Sequence, residues 1–358
     1  MNSAGRKSLQ AVWLSLLLAC AVILAAGCAN HTIQPEASGR PQDSDTVTVP
    51  TEEQRRFVYL CEDISLLKYQ DIAAGIRQQC TDRNVACTIV DGGGNAGILM
   101  TYIEELNQDM VDGILVSALT EPLGPLIQSK CAAIGVPVFT VSARMRDEEG
   151  QDLPGIEISA YESGEEVASD ISKAIRRGAL DVNRPISVIM CSMSNITSAT
   201  EFTRGFYDTF SEMNPSLSSD SYVELEVLTA HAEGHYSSLN NFFGKTASDV
   251  QMVFVTFNDD GSAGIVQFVQ EAEIAAENLL IGSVGMQANS RMIFEGLPDL
   301  APRYYAVTAD YEEMGRQAVD ALDGCLRDGT ELPHIFMPLG EIVTADKYQP
   351  VEAEPNLG

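Results

Sequence analysis

The stretch VFVTFNDDGSAGIVQ, residues 253–267, decides the fold. Its first residues are β-branched or aromatic, Asn258-Asp259-Asp260-Gly261 follow, and a helical pattern begins at once. This reads as a buried strand entering a helix through a polar turn. Polar groups crowded at the end of a buried strand are costly unless they hold something. The same rhythm runs through the chain on both sides. Upstream lie the apolar runs FVYLC (57–61), CTIV (87–90), GILVS (113–117), VFTV (138–141) and GIEI (155–158), separated by helical patterns near 66–83, 98–108 and 126–134. After a helix near 164–177 a second set follows: ISVIM (186–190), VELEVL (223–228), MVFVT (252–256), LLIG (279–282) and YAV (305–307). A last helix near 311–326 and the run IFMPLGEIVT complete the body. Continuous apolar strands alternating with helices imply parallel sheets covered on both faces. Two such sets predict an α/β protein of two doubly wound, Rossmann-like lobes, with ligands outside the carboxyl ends of the strands.

The amino terminus speaks to compartment. Arg6 and Lys7 precede the apolar run LQAVWLSLLLACAVILAA (9–26), and Ala26-Gly27 stand before Cys28. That is the order of a secretory leader, excluded from the fold, with an uncleaved anchor as the alternative. LAAGC (24–28) resembles a bacterial lipobox, which implies cleavage before Cys28 and lipid attachment there. Residues 28–54 are polar, Pro-containing and without apolar period, the composition of a flexible tether. The formal charge is −29, which repels phosphate backbones and speaks against nucleic acid as a partner. Beyond Cys20 and Cys28, the remaining cysteines show no CxxC pair and no metal spacing. They read as buried thiols, with a Cys80–Cys87 bridge left open.

The body resembles the type 1 periplasmic binding proteins of the ribose- and arabinose-binding kind. The residues that carry the resemblance are VDGILVS (111–117), GVPVFTV (135–141), TSATEFTRGFYDTF (197–210), VFVTFNDDGSAG (253–264) and LLIGSVG (279–285). The resemblance implies two lobes joined by a three-crossing hinge, with the ligand in the cleft and hinge closure as the working motion. The expected division is a leader at 1–27, a tether at 28–54, a first lobe of 55–158 plus 310–336, a second lobe of 159–309 plus 337–350, and a tail at 351–358.

In that family the Asn of the ND element bonds the ligand, which points to Asn258, with Asp259 or Asp260 capping the helix; the competing assignment makes Asn258 itself the cap. Other positions depart from the family. Lys68 and Tyr69 stand where stacked aromatics are usual, and Ser142-Ala143-Arg144 where Asp-Arg is usual. Phe202 takes the place of a bidentate Arg and Val284 that of an Asp, while Ala309 replaces an amide. Losing such groups weakens the grip on sugar hydroxyls. Tyr69, Phe202, Phe257 and Met286 are the expected apolar walls, and His235 or Tyr236 is expected near the cleft. Sugar is the family default; a nucleoside, an aromatic compound or an anion held by Lys68 and Arg144 are the alternatives.

Three further motifs carry less. GGGNAG (92–97) satisfies G-x-G-x-x-G but follows the second strand, and is read as a βα turn rather than a dinucleotide fingerprint. HAEGH (231–235) has metal-like spacing, but Gly234 argues against a helix there and no third ligand is marked. No G-x-S-x-G elbow and no Cys–His pair is found, so no enzyme and no cofactor are expected. The function expected is a monomeric, lipid-anchored, extracytoplasmic protein that delivers a small molecule to an ABC permease. Its alternative is a sensor module serving a membrane kinase or chemoreceptor.

Overall fold

The computed structural model describes residues 54–118, 123–244 and 250–350. The leader, the Cys28 attachment, nearly all of the tether and the tail at 351–358 lie outside the described residues. Five strands of the first half are β1 (Arg56–Cys61), β2 (Ala86–Asp91), β3 (Gly113–Ser117), β4 (Val138–Val141) and β5 (Gly155–Ile158). With β11 (His334–Met337) they form a six-stranded parallel sheet in the order β11-β5-β4-β3-β1-β2. The second sheet is built from β6 (Ile186–Ser192), β7 (Tyr222–Glu226), β8 (Gln251–Val255), β9 (Leu279–Val284), β10 (Tyr304–Val307) and β12 (Ile342–Val343). Its order is β12-β10-β9-β8-β6-β7, parallel except for β12. The two sheets define two lobes. The chain passes between them after β5, after β10 and again between β11 and β12.

Every residue of β3, β8 and β9 is buried, which is why these strands read as unbroken apolar runs. The edge strands β2 and β7 are only half-buried. The helices are α1 (Leu67–Asp82), α2 (Ala96–Glu105), α3 (Leu123–Ile134), α4 (Ala160–Arg176), α5 (Thr197–Met213), α6 (Ala232–Phe243), α7 (Asp259–Glu271), α8 (Ala288–Gly296) and α9 (Tyr311–Asp328). Each sheet has an apolar cluster on both faces. In the first lobe one gathers Tyr59, Ile72 and Met314 and the other Leu60, Ile103 and Ile127. In the second lobe the clusters centre on Val188 and Phe206, and on Phe254 and Phe268.

Two helix crossings use the same device. A Cβ at Gly75 of α1 would overlap the Glu312 carbonyl of α9, and one at Gly315 of α9 would overlap the Ile72 carbonyl of α1. In the other lobe Gly164 of α4 meets the Phe202 carbonyl of α5, and Gly205 of α5 meets the Tyr161 carbonyl of α4. These reciprocal glycines bring two backbones into direct contact, which any larger side chain prevents.

The sequence argued against a helix at HAEGH; the structure has one, α6, starting at Ala232. Gly234 does not break it. It sits in the first turn because the Thr229 backbone passes where a Cβ would be. GGGNAG forms a βα turn, with Gly93 and Gly94 at positive φ and the Asn95 side chain accepting from the Gly97 N–H. No disulfide joins the described cysteines, and the Cys80 and Cys87 thiols are hydrogen-bonded to each other.

Candidate functional site

The polar turn after β8 holds three helices at once. Asn258 is the N-cap of its own helix: Oδ1 accepts from the Gly261 N–H at 2.9 Å, and Nδ2 donates to the Ala230 carbonyl at 2.8 Å. Asp259 accepts from the Asn289 and Ser290 N–H groups at 3.0 Å each and from the Ser290 hydroxyl. It thereby caps α8, whose own N-cap residue, Gln287, offers no side-chain bond. Asp260 reaches into the other lobe, where Oδ2 accepts from the Leu67 N–H at 3.3 Å. Leu67 opens α1, another helix without a side-chain cap of its own. The expected division of labour is therefore corrected. Asn258 is 6% exposed, both ends of its amide are engaged inside the second lobe, and it does not line the cleft cavity. Burial raises the Asp259 carboxyl to about 6 against the pull of its three bonds.

A cavity of about 50 Å³ lies between the lobes at the carboxyl ends of both sets of strands. Lys68, Tyr69, Ser142, Arg144, Phe202 and Val284 line it, as does Phe257. So do the first turns of α1, α4, α5 and α9, through Lys68, Ser163, Thr197 and Tyr311. These four helices are the glycine-paired ones. Their amino ends carry partial positive charge and converge on the cavity.

Arg144 is the polar centre of one end. Its guanidinium donates to Glu157 Oε1 from Nε at 3.1 Å and from Nη2 at 3.0 Å, and to Glu201 Oε1 from Nη1 at 2.9 Å. Burial opposes its charge, but Glu157, Glu201 and Asp152 outweigh that and raise its pKa. Glu157 also meets the His334 ring at 3.1 Å. Glu201 belongs to α5, so the Arg144–Glu201 bond joins the lobes. Ser142, just before, has φ 57°, a left-handed conformation rare for a residue with a Cβ. Its N–H donates to the Ile156 carbonyl at 2.8 Å, which ties this turn to β5.

The other end is Lys68 and Tyr69. The Lys68 ammonium lies 4.7 Å from the centre of the Tyr69 ring, and burial lowers its pKa to about 8. Asp260 opposes that shift through space, although no carboxylate of the described residues lies within ion-pair distance. The Tyr69 hydroxyl is fully buried with no hydrogen-bond partner among the described residues, and burial pushes its pKa well above the ordinary phenol value. A third cross-lobe bond, His231 Nε2 to Asp63 Oδ2 at 2.8 Å, joins the loops after β7 and β1.

Two further expected site residues stand elsewhere. His235 is fully buried in the second lobe; Nδ1 meets the His231 carbonyl at 3.0 Å and Nε2 the Thr256 hydroxyl at 2.9 Å. Its pKa falls to about 4 through burial, so it is a neutral core residue and not a cleft contact. Met286 lines a neighbouring crevice with Asp71, Arg291 and Asp310 and is not among the residues lining the central cavity. Sequence reasoning missed Glu157, Glu201 and Tyr311. Glu157 had a signal, as the lone charge in the apolar run GIEI.

Two lobes meeting over a cavity at the carboxyl ends of their strands are the architecture of a protein that binds a small molecule between its domains. The chain belongs to the family described as periplasmic binding protein domain, whose pattern matches residues 68–331. That is a family of binding proteins, not of enzymes. The fold is similar to that of a periplasmic ribose ABC transporter structure from Conexibacter woesei, at 18% identity and TM-score 0.65, covering 82% of this chain and 93% of that one. It is similar also to the Caulobacter myo-inositol binding protein bound to myo-inositol, at 14% identity and TM-score 0.68, with 84% and 96% covered. A LacI family transcriptional regulator from Mycobacterium smegmatis shares it at 16% identity and TM-score 0.60, with 80% and 97% covered. At these identities the likeness speaks for the fold alone. Among curated protein sequences nothing matches the chain.

Proposed function

We propose that this protein is an extracytoplasmic solute-binding protein, anchored through a lipid on Cys28, that captures a small hydroxyl-rich solute and presents it to an ABC permease. The observation that carries this reading is the cavity itself, with charged hydrogen-bonding groups on both lobes and three bonds closing the lobes over it. Arg144 with Glu157 and Glu201 offers donors and acceptors side by side, the arrangement that grips vicinal hydroxyls. Phe202, Phe257 and Val284 supply the apolar walls against a solute's carbon face. The residual volume is far below the roughly 300–1,000 Å³ of a small-molecule site, so entry requires the lobes to part. The ribose and myo-inositol relatives support a sugar or polyol, and the leader supports a place outside the cytoplasm.

The test is a thermal-unfolding screen against sugars, polyols, nucleosides, amino acids and small anions, followed by small-angle scattering with any hit. A ligand at about 100 times its Kd adds roughly 2.7 kcal/mol and raises the midpoint. A sugar or polyol that also makes the particle more compact supports capture by closure. Hits confined to nucleosides or aromatic compounds would refute the hydroxyl-rich assignment.

A further inference from the structure

We infer that the solute is a hydroxylated acid, with its anionic group bound at Lys68 and Tyr69 and its hydroxyls at Arg144, Glu157 and Glu201. The inference rests on the proposed function and adds the charge of the solute and its orientation.

The cavity has two unlike ends. At one, the Arg144 cation is shared between two carboxylates, so it has no charge to spare for an anion and much to offer to hydroxyls. At the other, the Lys68 ammonium lines the cavity with no carboxylate of the described residues within 4.0 Å. Asp260, the acid that acts on it from farther off, gives an oxygen to the Leu67 N–H. The Tyr69 ring lies under the Lys68 side chain, 4.7 Å from the ammonium to the ring centre; Tyr69 lines the same cavity, and its hydroxyl is buried and makes no hydrogen bond to a described residue. A buried hydroxyl without a partner carries a desolvation cost that a bound acceptor removes. Both side chains project from the first turn of the 16-residue helix α1, whose amino end adds positive potential.

The sheet sets the separation of the two ends. Lys68 follows β1, whereas Arg144 follows β4, two places along the order β4-β3-β1. At about 4.8 Å per strand the ends of β1 and β4, from which the two loops start, stand roughly 10 Å apart. That spacing suits a six-carbon chain or ring with a carboxylate at one terminus. A neutral sugar would leave the Lys68 charge, among the described residues, with only the more distant Asp260 to balance it in a half-buried site.

The experiment is isothermal titration of the full chain with matched pairs: galactose and galacturonate, glucose and glucuronate, glucitol and gluconate, ribose and ribonate. At least one acid should bind ten times or more tightly than its neutral partner. Lys68→Met should bring that acid to within about threefold of the neutral compound, and Tyr69→Phe should weaken the acid more than the neutral. Thermal unfolding of each variant checks that the fold is intact; Tyr69→Phe keeps the ring in place if Lys68→Met does not fold. A neutral compound that binds more tightly than its acid would overturn the inference and leave the hydroxyl-rich reading standing. So would equal losses for both members of a pair in the two variants. Binding by neither member of any pair would bring down both.

Discussion

Asn258→Ala separates a structural cap from a ligand contact. The side chain makes two buried bonds, to the Gly261 N–H at 2.9 Å and to the Ala230 carbonyl at 2.8 Å. Losing an N-cap costs about 1 kcal/mol, within a range of 0.5–2. The Ala230 carbonyl, on a residue 5% exposed, loses its amide donor and adds about 1–3 kcal/mol. The sum is about 2–4 kcal/mol, roughly 3–6 °C in midpoint for a protein of this size. Affinity for whatever solute the screen finds should change less than threefold once measured well below the new midpoint. The assay pairs urea unfolding with titration calorimetry, and Asp260→Ala serves as the contrast. Asp260 caps α1 across the cleft, so its loss should weaken binding while moving the midpoint little. A variant Asn258→Ala with normal unfolding and a tenfold or greater loss of affinity would refute the cap assignment.

Other outcomes follow from the same contacts. Asp259 is raised to about 6 by burial, so the folded state holds its proton more tightly than the unfolded chain. Its contribution to stability is therefore fully present below pH 3.8 and is lost as pH rises through about 6, by about 3 kcal/mol at most, and Asp259→Asn should remove that part of the pH dependence in urea unfolding. Burial pushes Asp63 up, but its bonds to Ser65 and His231 prevail and hold it below 3.8. What it contributes is present above that value and lost as pH falls through the depressed one; His231→Gln should cost at most about 1 kcal/mol, read as a more open particle by scattering. Gly164→Ala forces α4 from the Phe202 carbonyl and should destabilise by about 1–3 kcal/mol, with weaker solute binding because Phe202 moves.

The sheets were legible because their central strands are buried on both faces, which leaves an unbroken apolar run such as GILVS or LLIG. The site was legible only in part. Lys68, Tyr69, Ser142, Arg144 and Val284 follow strands or open helices that the pattern had already placed, so their arrival at the cavity required only the fold, whereas Phe202, inside the helix Thr197–Met213, was pointed to by the resemblance alone. Asn258 could not be settled, because an amide at a strand-to-helix turn has the same sequence whether it faces a ligand or an N–H. His235 misled for a related reason: its partner, Thr256, lies 21 positions away. Glu201 was hidden by distance too, since its partner Arg144 lies 57 residues back in the other lobe.

The paired glycines of α1 with α9, and of α4 with α5, have a mechanical consequence. Each pair is two beams bolted backbone to backbone, with one end of both beams at the cavity. In the proposed closure, pushing on one beam would carry the other along, so each half of the site would travel as a finished part and the play would be confined to the short links between sheets. Selection acting on those links can retune how far and how easily the jaws open without disturbing the teeth.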